Sequence, residues 1–189
     1  MSEAVALDPR VARSRRAVID AVAEEMSEVG YGALTIESVA RRAGVGKATI
    51  YRHWDGKLAL VESLLDEIRE GIVDDEEGPP LEKIRSMLHA LATTLATTRL
   101  SQCHPELVSA AQHDDALREF HHRFSTSRRL VMMGYIEEAQ LAGDIRRDTD
   151  PRLLAEILVG PIFYRRLMTP DPFPPDLVDQ LVDTALPFP

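Results

Sequence analysis

Val11, Val18, Val22, Met26 and Val29 recur at spacings of seven, four, four and three, which draws one apolar stripe along a helix. The same period returns in segment after segment, and no alternating Val/Ile/Thr/Tyr pattern recurs to compete with it. Gly, Pro and Asp punctuate the segments. Asp8-Pro9 reads as a cap and first helical residue, and Gly30 as a stop. The expected fold is therefore all-α, with about nine helices over 189 residues. A chain of this length buries a real core, and 44% hydrophobic with 28% charged residues is ordinary for a globular protein.

The helices expected are 9–29, a short one from Ile36 to Ala43 capped by Thr35, and Lys47 to Trp54. Lys57 to Ile72 follows, with Leu58, Val61, Leu65, Ile68 and Ile72 inward. An acidic Gly/Pro-bearing connector, residues 74–80, leads to a helix from Pro80 to Thr98. A shorter helix should open at His104-Pro105 and run to Gln112. A long one from Asp114 to Leu141 should carry Leu117, Phe120, Phe124, Leu130, Met133 and Ile136, before Gly143 stops it. Asp150-Pro151 opens a helix to Met168 that contains Pro161, and Pro175 to Leu186 forms the last.

Net charge is −9, which would argue against a polyanionic partner if it were evenly spread. It is not. Residues 1–57 carry nine Lys/Arg against eight Asp/Glu, and residues 58–189 carry thirteen against twenty-three. Between Arg41 and Lys57 five basic side chains face one acid, Asp55. Two short helices joined by Ala43-Gly44-Val45-Gly46, the second basic and polar, satisfy what major-groove reading requires.

The segment LTIESVARRAGVGKATIYRHWDGKLAL, residues 34–60, resembles the DNA-binding module of the TetR family of bacterial one-component repressors. Leu34-Thr35, Val39-Ala40, Ala43-Gly44-Val45, Thr49-Ile50-Tyr51, His53-Trp54 and Lys57 to Leu60 carry the match. The run GPIFYRRLMTPDPF, residues 160–173, resembles a common C-terminal domain type of that family. The resemblance implies a repressor with a helix-turn-helix domain, residues 1–57, and an effector-binding and dimerisation bundle, residues 58–189. Gly46 departs from the family, which often has Ser before the position of Lys47, and so removes one phosphate-binding hydroxyl.

Residue chemistry agrees with that resemblance. Thr35 can cap its helix and offer a hydroxyl to phosphate. Lys47 and Thr49 stand at the leading end of the reading helix, and Tyr51 and His53 on its outward face. Lys57 starts the next helix, where its charge and the helix dipole both attract phosphate. The expected partner is a palindromic double-stranded operator, read by a homodimer. Leu154, Ile157, Leu158 and Ile162, with Leu177, Val178, Leu181 and Val182, form the two apolar stripes expected at the dimer interface.

A small-molecule effector is expected in a pocket bounded by Phe120, Phe124, Tyr135, His89, Thr93 and Cys103, since apolar walls with a few polar groups suit such a cavity. The helix beginning at Lys57 should link the two sites, spanning about 22 Å at 1.5 Å per residue. The six histidines lack chelating spacing, no cofactor motif appears, and no metal is expected. No phosphate loop, Gly-x-Ser-x-Gly or paired-carboxylate signature points to an enzyme. One cysteine, no signal-peptide pattern and no run of about 18 apolar residues suit a cytoplasmic protein. An architectural DNA-binding protein without effector, and an all-α enzyme, remain the alternatives at this point.

Overall fold

The computed structural model describes residues 9–71, 78–97 and 99–186. The regular structure among these residues is all helical, with no strand. The helices are α1 (Pro9–Ala33), α2 (Ile36–Ala43), α3 (Lys47–His53), α4 (Lys57–Gly71) and α5 (Pro80–Thr97). They continue with α6 (Arg99–Ala110), α7 (Asp115–Ala142), α8 (Pro151–Met168) and, after a 3-10 turn over Pro175–Leu177, α9 (Val178–Ala185). Asp8, Ile72, Thr98 and most of the acidic connector lie outside the described residues, and so does the side chain of Ile68.

The punctuation acts as its chemistry dictates. Gly30 adopts φ 74°, ψ 168°, a conformation open essentially to glycine alone, and breaks α1 ahead of a final turn. Thr35 caps α2, and Gly44 at φ 66° ends it in the left-handed conformation that the tight turn requires. Asp114 caps α7 by accepting from the Leu117 amide at 3.0 Å. Asp150 caps α8, which continues through Pro161.

The sixth helix differs from the sequence expectation. It starts at Arg99, five residues before His104, so Pro105 stands inside it rather than at its head. An interior proline forfeits one backbone hydrogen bond, and burial of Cys103, His104 and Leu107 around it holds the helix together. Leu130 of α7 is 58% exposed.

Helices α1, α2 and α3 form a small head, with α1 packed on α2, α4 and α6. Helix α5 is central to the rest and touches α6, α7, α8 and α9. Arg85 ties α5 to α9 through Asp179 and Asp183, and Lys83 ties α5 to Glu138 of α7 at 3.0 Å. The buried apolar residues, from Val18 in the head to Val182 in α9, form one cluster.

Candidate nucleic-acid interface and ligand cavity

The angle between α2 and α3 is fixed from beneath. Val39, Ala40, Ile50 and Trp54 are buried, and the Val45 amide donates to the Ala40 carbonyl at 3.0 Å across the turn. Thr35 and Ser38 complete a capping box: Thr35 Oγ1 accepts from the Ser38 amide at 3.1 Å, and the Thr35 amide donates to Ser38 Oγ at 3.4 Å. Arg42 turns back to α1. Its Nε donates to Glu25 at 2.7 Å, and its other nitrogens meet Glu24 and Glu28. Glu25 is buried, so this pairing locks α2 on α1 and withdraws Arg42 from the outer face.

The outer face carries Thr35, Lys47, Tyr51 and His53, all exposed, while Thr49 is half-buried beside them. Tyr51 is 59% exposed, far more than a core tyrosine. Lys47 pairs with Glu37 across the turn at 2.9 Å, which raises the lysine's affinity for its proton and lowers that of the carboxylate. Glu37 thus presets the direction of Lys47, a role the sequence did not reveal. Lys57 is placed differently from the expectation of a free phosphate contact. Its Nζ donates to the Tyr31 carbonyl at 3.1 Å and lies 4.2 Å from the Tyr31 ring centre, so it is half-buried. Burial, with Asp114 and Glu62 nearby, pushes the Tyr31 hydroxyl up to about 12.

A cavity of about 430 Å³ lies among α4, α5, α6, α7 and α8. Phe124 lines it, as the sequence suggested. Phe120 stands behind, 6.1 Å from the Phe124 ring. The other expected members are elsewhere. Tyr135 is buried near Lys83, whose Nζ is 5.4 Å from the ring centre. His89 faces Asp179 at 3.5 Å, and Thr93 is exposed. Cys103 is buried off the wall, its thiol pushed up to about 11 by desolvation.

The wall is formed instead by the adjoining stripes: Met87, Leu91, Thr94 and Leu95 on α5, and His104, Leu107 and Val108 on α6. Helix α7 adds His121, Ser125, Arg128, Arg129 and Met132; α8 adds Ala155, Glu156, Val159, Phe163 and Leu167; α4 adds Leu65. His104 is 8% exposed and stacks on Phe163 with ring centres 5.3 Å apart. Burial, then His121 and Arg166 nearby, pulls it down to about 4, so it is neutral at physiological pH.

The expected interface stripes divide. Leu154, Leu158, Ile162, Val178 and Val182 face the chain's own core, and Leu177 and Leu181 are half-buried against it. Only Ile157 of the eight is exposed. It belongs to a neighbouring α8 stripe of Leu153, Ile157, Tyr164 and Met168, all open to solvent. The outward face is as apolar as the inward one, so composition alone did not separate them.

A basic helix held by a left-handed turn over its supporting helix, attached to a bundle with an apolar cavity, defines a helix-turn-helix DNA-binding protein with a ligand-binding body. Comparison with known proteins specifies the class. Residues 18–64 match the family of bacterial regulatory proteins called the tetR family, and residues 75–185 match the tetracyclin repressor-like C-terminal domain. The chain belongs to the TetR family, and it is a DNA-binding transcriptional regulator of the repressor type. It is 33% identical to the uncharacterized HTH-type transcriptional regulator YdeS of Bacillus subtilis (strain 168), covering 94% of this chain and 90% of that one. It is 30% identical to the HTH-type transcriptional repressor KstR2 of Rhodococcus jostii (strain RHA1), over 76% and 74% of the two chains. The regulator FadR from Bacillus subtilis, solved in complex with stearoyl-CoA, shares the fold with a TM-score of 0.72 at 21% identity, over 91% and 97%. No helix among the described residues is long and apolar enough to cross a membrane.

Proposed function

We propose that the chain works in the cytoplasm, without catalysis of its own, as a homodimeric repressor released from a palindromic operator by a small-molecule effector. Residues 1–57 are the reading head and residues 58–189 the effector-binding and dimerising body. The observation that carries this reading is one rigid helix spanning both: α4 starts at Lys57 against the head and places Leu65 on the cavity wall. Helix α6 makes a second link. His104 and Leu107 line the cavity, while Glu106 Oε2 comes within 3.3 Å of the position a Cβ on Gly30 would take, at the break in α1.

Thr35, Lys47, Thr49, Tyr51 and His53 contact the operator, and Lys57 holds the α1–α4 joint while its charge faces the phosphates. The dimer forms through the exposed α8 stripe of Leu153, Ile157, Tyr164 and Met168, with Leu177 and Leu181 of the following turn and α9 at its margin. Two-fold symmetry then sets two heads about one DNA turn, roughly 34 Å, apart. An effector that favours a different spacing misplaces one head, and the effector must prefer that state for any release to follow.

Selecting duplexes from a random library with the full chain tests the reading. An inverted repeat preferred by about 10³-fold or more over unrelated duplex supports it. Weak, sequence-tolerant binding would indicate an architectural protein instead. Light scattering should give a dimer at micromolar concentration, and a monomer there would remove the symmetric model.

A further inference from the structure

Residues 58–189 hold the acidic excess of the chain, yet the cavity wall within them has the opposite balance. Among the described residues, Arg128 and Arg129 of α7 line it, and Glu156 of α8 is the one lining carboxylate. Glu156 already accepts from Arg152 Nε at 3.3 Å, one helical turn away. Behind the wall, Arg166 is close enough to oppose protonation of both His104 and Cys103, and its buried Nε has no hydrogen-bond partner among the described residues. His104 Nδ1, more than nine-tenths buried on the cavity wall, likewise has none. A mostly apolar wall that carries guanidinium groups and an unsatisfied ring nitrogen is matched by a ligand that brings negative charge and an oxygen, not by a hydrocarbon alone.

We propose that the cavity takes an amphiphilic monocarboxylate, its carboxylate held by Arg129 and its apolar body laid along Leu91, Leu95, Phe124, Met132, Val159 and Phe163. This deepens the effector reading above and rests on it for the link to release. Guanidinium–carboxylate pairing supplies charge-assisted, two-pronged recognition, and the apolar wall selects against small hydrophilic acids. An amine of the same length meets like charge, and an alcohol forfeits the charge pairing.

Calorimetry on the full-length protein with decanoate, decanol and decylamine, each below its aggregation concentration, tests this. Decanoate should bind at least about tenfold tighter than either analogue. Arg129→Gln should erase that advantage and leave decanol affinity unchanged, which a general folding defect would not do. Equal affinity for decanoate and decanol, a preference for decylamine, or binding by none of the three at millimolar concentration would overturn the assignment. Operator binding by the same preparation separates the two readings. Protein that binds operator but none of the probes loses the ligand class alone, and protein that binds decanoate but no duplex DNA loses the regulatory reading alone.

Discussion

The head is held by contacts between residues close in sequence, the body by contacts between residues far apart. Thr35 bonds Ser38 three residues on, and Arg42 reaches Glu25 seventeen residues back. Arg85, by contrast, meets Asp179 ninety-four residues away, and the cavity draws its wall from five helices. The caps and turn of the head are set locally, although α1 also packs on α6 of the body. A cavity assembled from five helices can be relined one side chain at a time without disturbing the head.

Substitutions at four positions would break or sharpen this contrast. Ile50 is fully buried on the inner face of α3, and Ile50→Ala should cost about 3 kcal/mol in denaturant titration and abolish operator binding. Ligand affinity unchanged would show that head and body separate energetically; a parallel loss would show that their shared core makes them one unit. In the body, His104 has a folded pKa of about 4 against the ordinary 6.5. The unfolded chain therefore takes up the proton first as pH falls, and stability is lost between pH 6.5 and 4, by at most about 3 kcal/mol. His104→Leu should flatten that part of the stability–pH curve, and a curve of unchanged slope would refute the assignment.

Gly30→Ala, at the junction of head and body, should cost about 2 kcal/mol, because the backbone there is glycine-only and Glu106 crowds the site. Operator affinity should fall with it, and thermal unfolding at unchanged temperature would contradict the strain. The smallest effect belongs to the cap: Thr35→Ala should lose about 1 kcal/mol. Thr35→Ser should restore it, and if DNA affinity failed to return with stability, the methyl group of Thr35 would be part of the interface.

The same contrast explains what the sequence disclosed. Caps, stops and the turn at Gly44 were legible because each is decided by a few adjacent residues. Helix boundaries followed, except where Pro105 was read as a start and proved interior. The cavity was legible only in part, because neighbouring residues on a helix point about 100° apart and only packing selects between them. Thr94 rather than Thr93, and His104 rather than Cys103, are displacements of a single residue. Helix α8 posed the same problem, with Leu153 and Leu154 equally apolar and opposite in exposure. The contact of Lys57 with Tyr31 was not legible for a different reason: Tyr31 is twenty-six residues upstream in a turn that no helical pattern connects to it.

Trp54 is the chain's single tryptophan, and it sits where the head meets α4. Its Nε1 donates to Ser63 Oγ at 2.8 Å, Arg15 of α1 lies 5.7 Å from its ring centre, and His53 of α3 packs edge-on at 5.6 Å. Three helices thus converge on one fluorophore. Its emission is an optical gauge of the joint between head and body, free of background from other indoles. A shift of α4 past the head would alter the Ser63 hydrogen bond and the nearby cation together, and so would be read without any attached label.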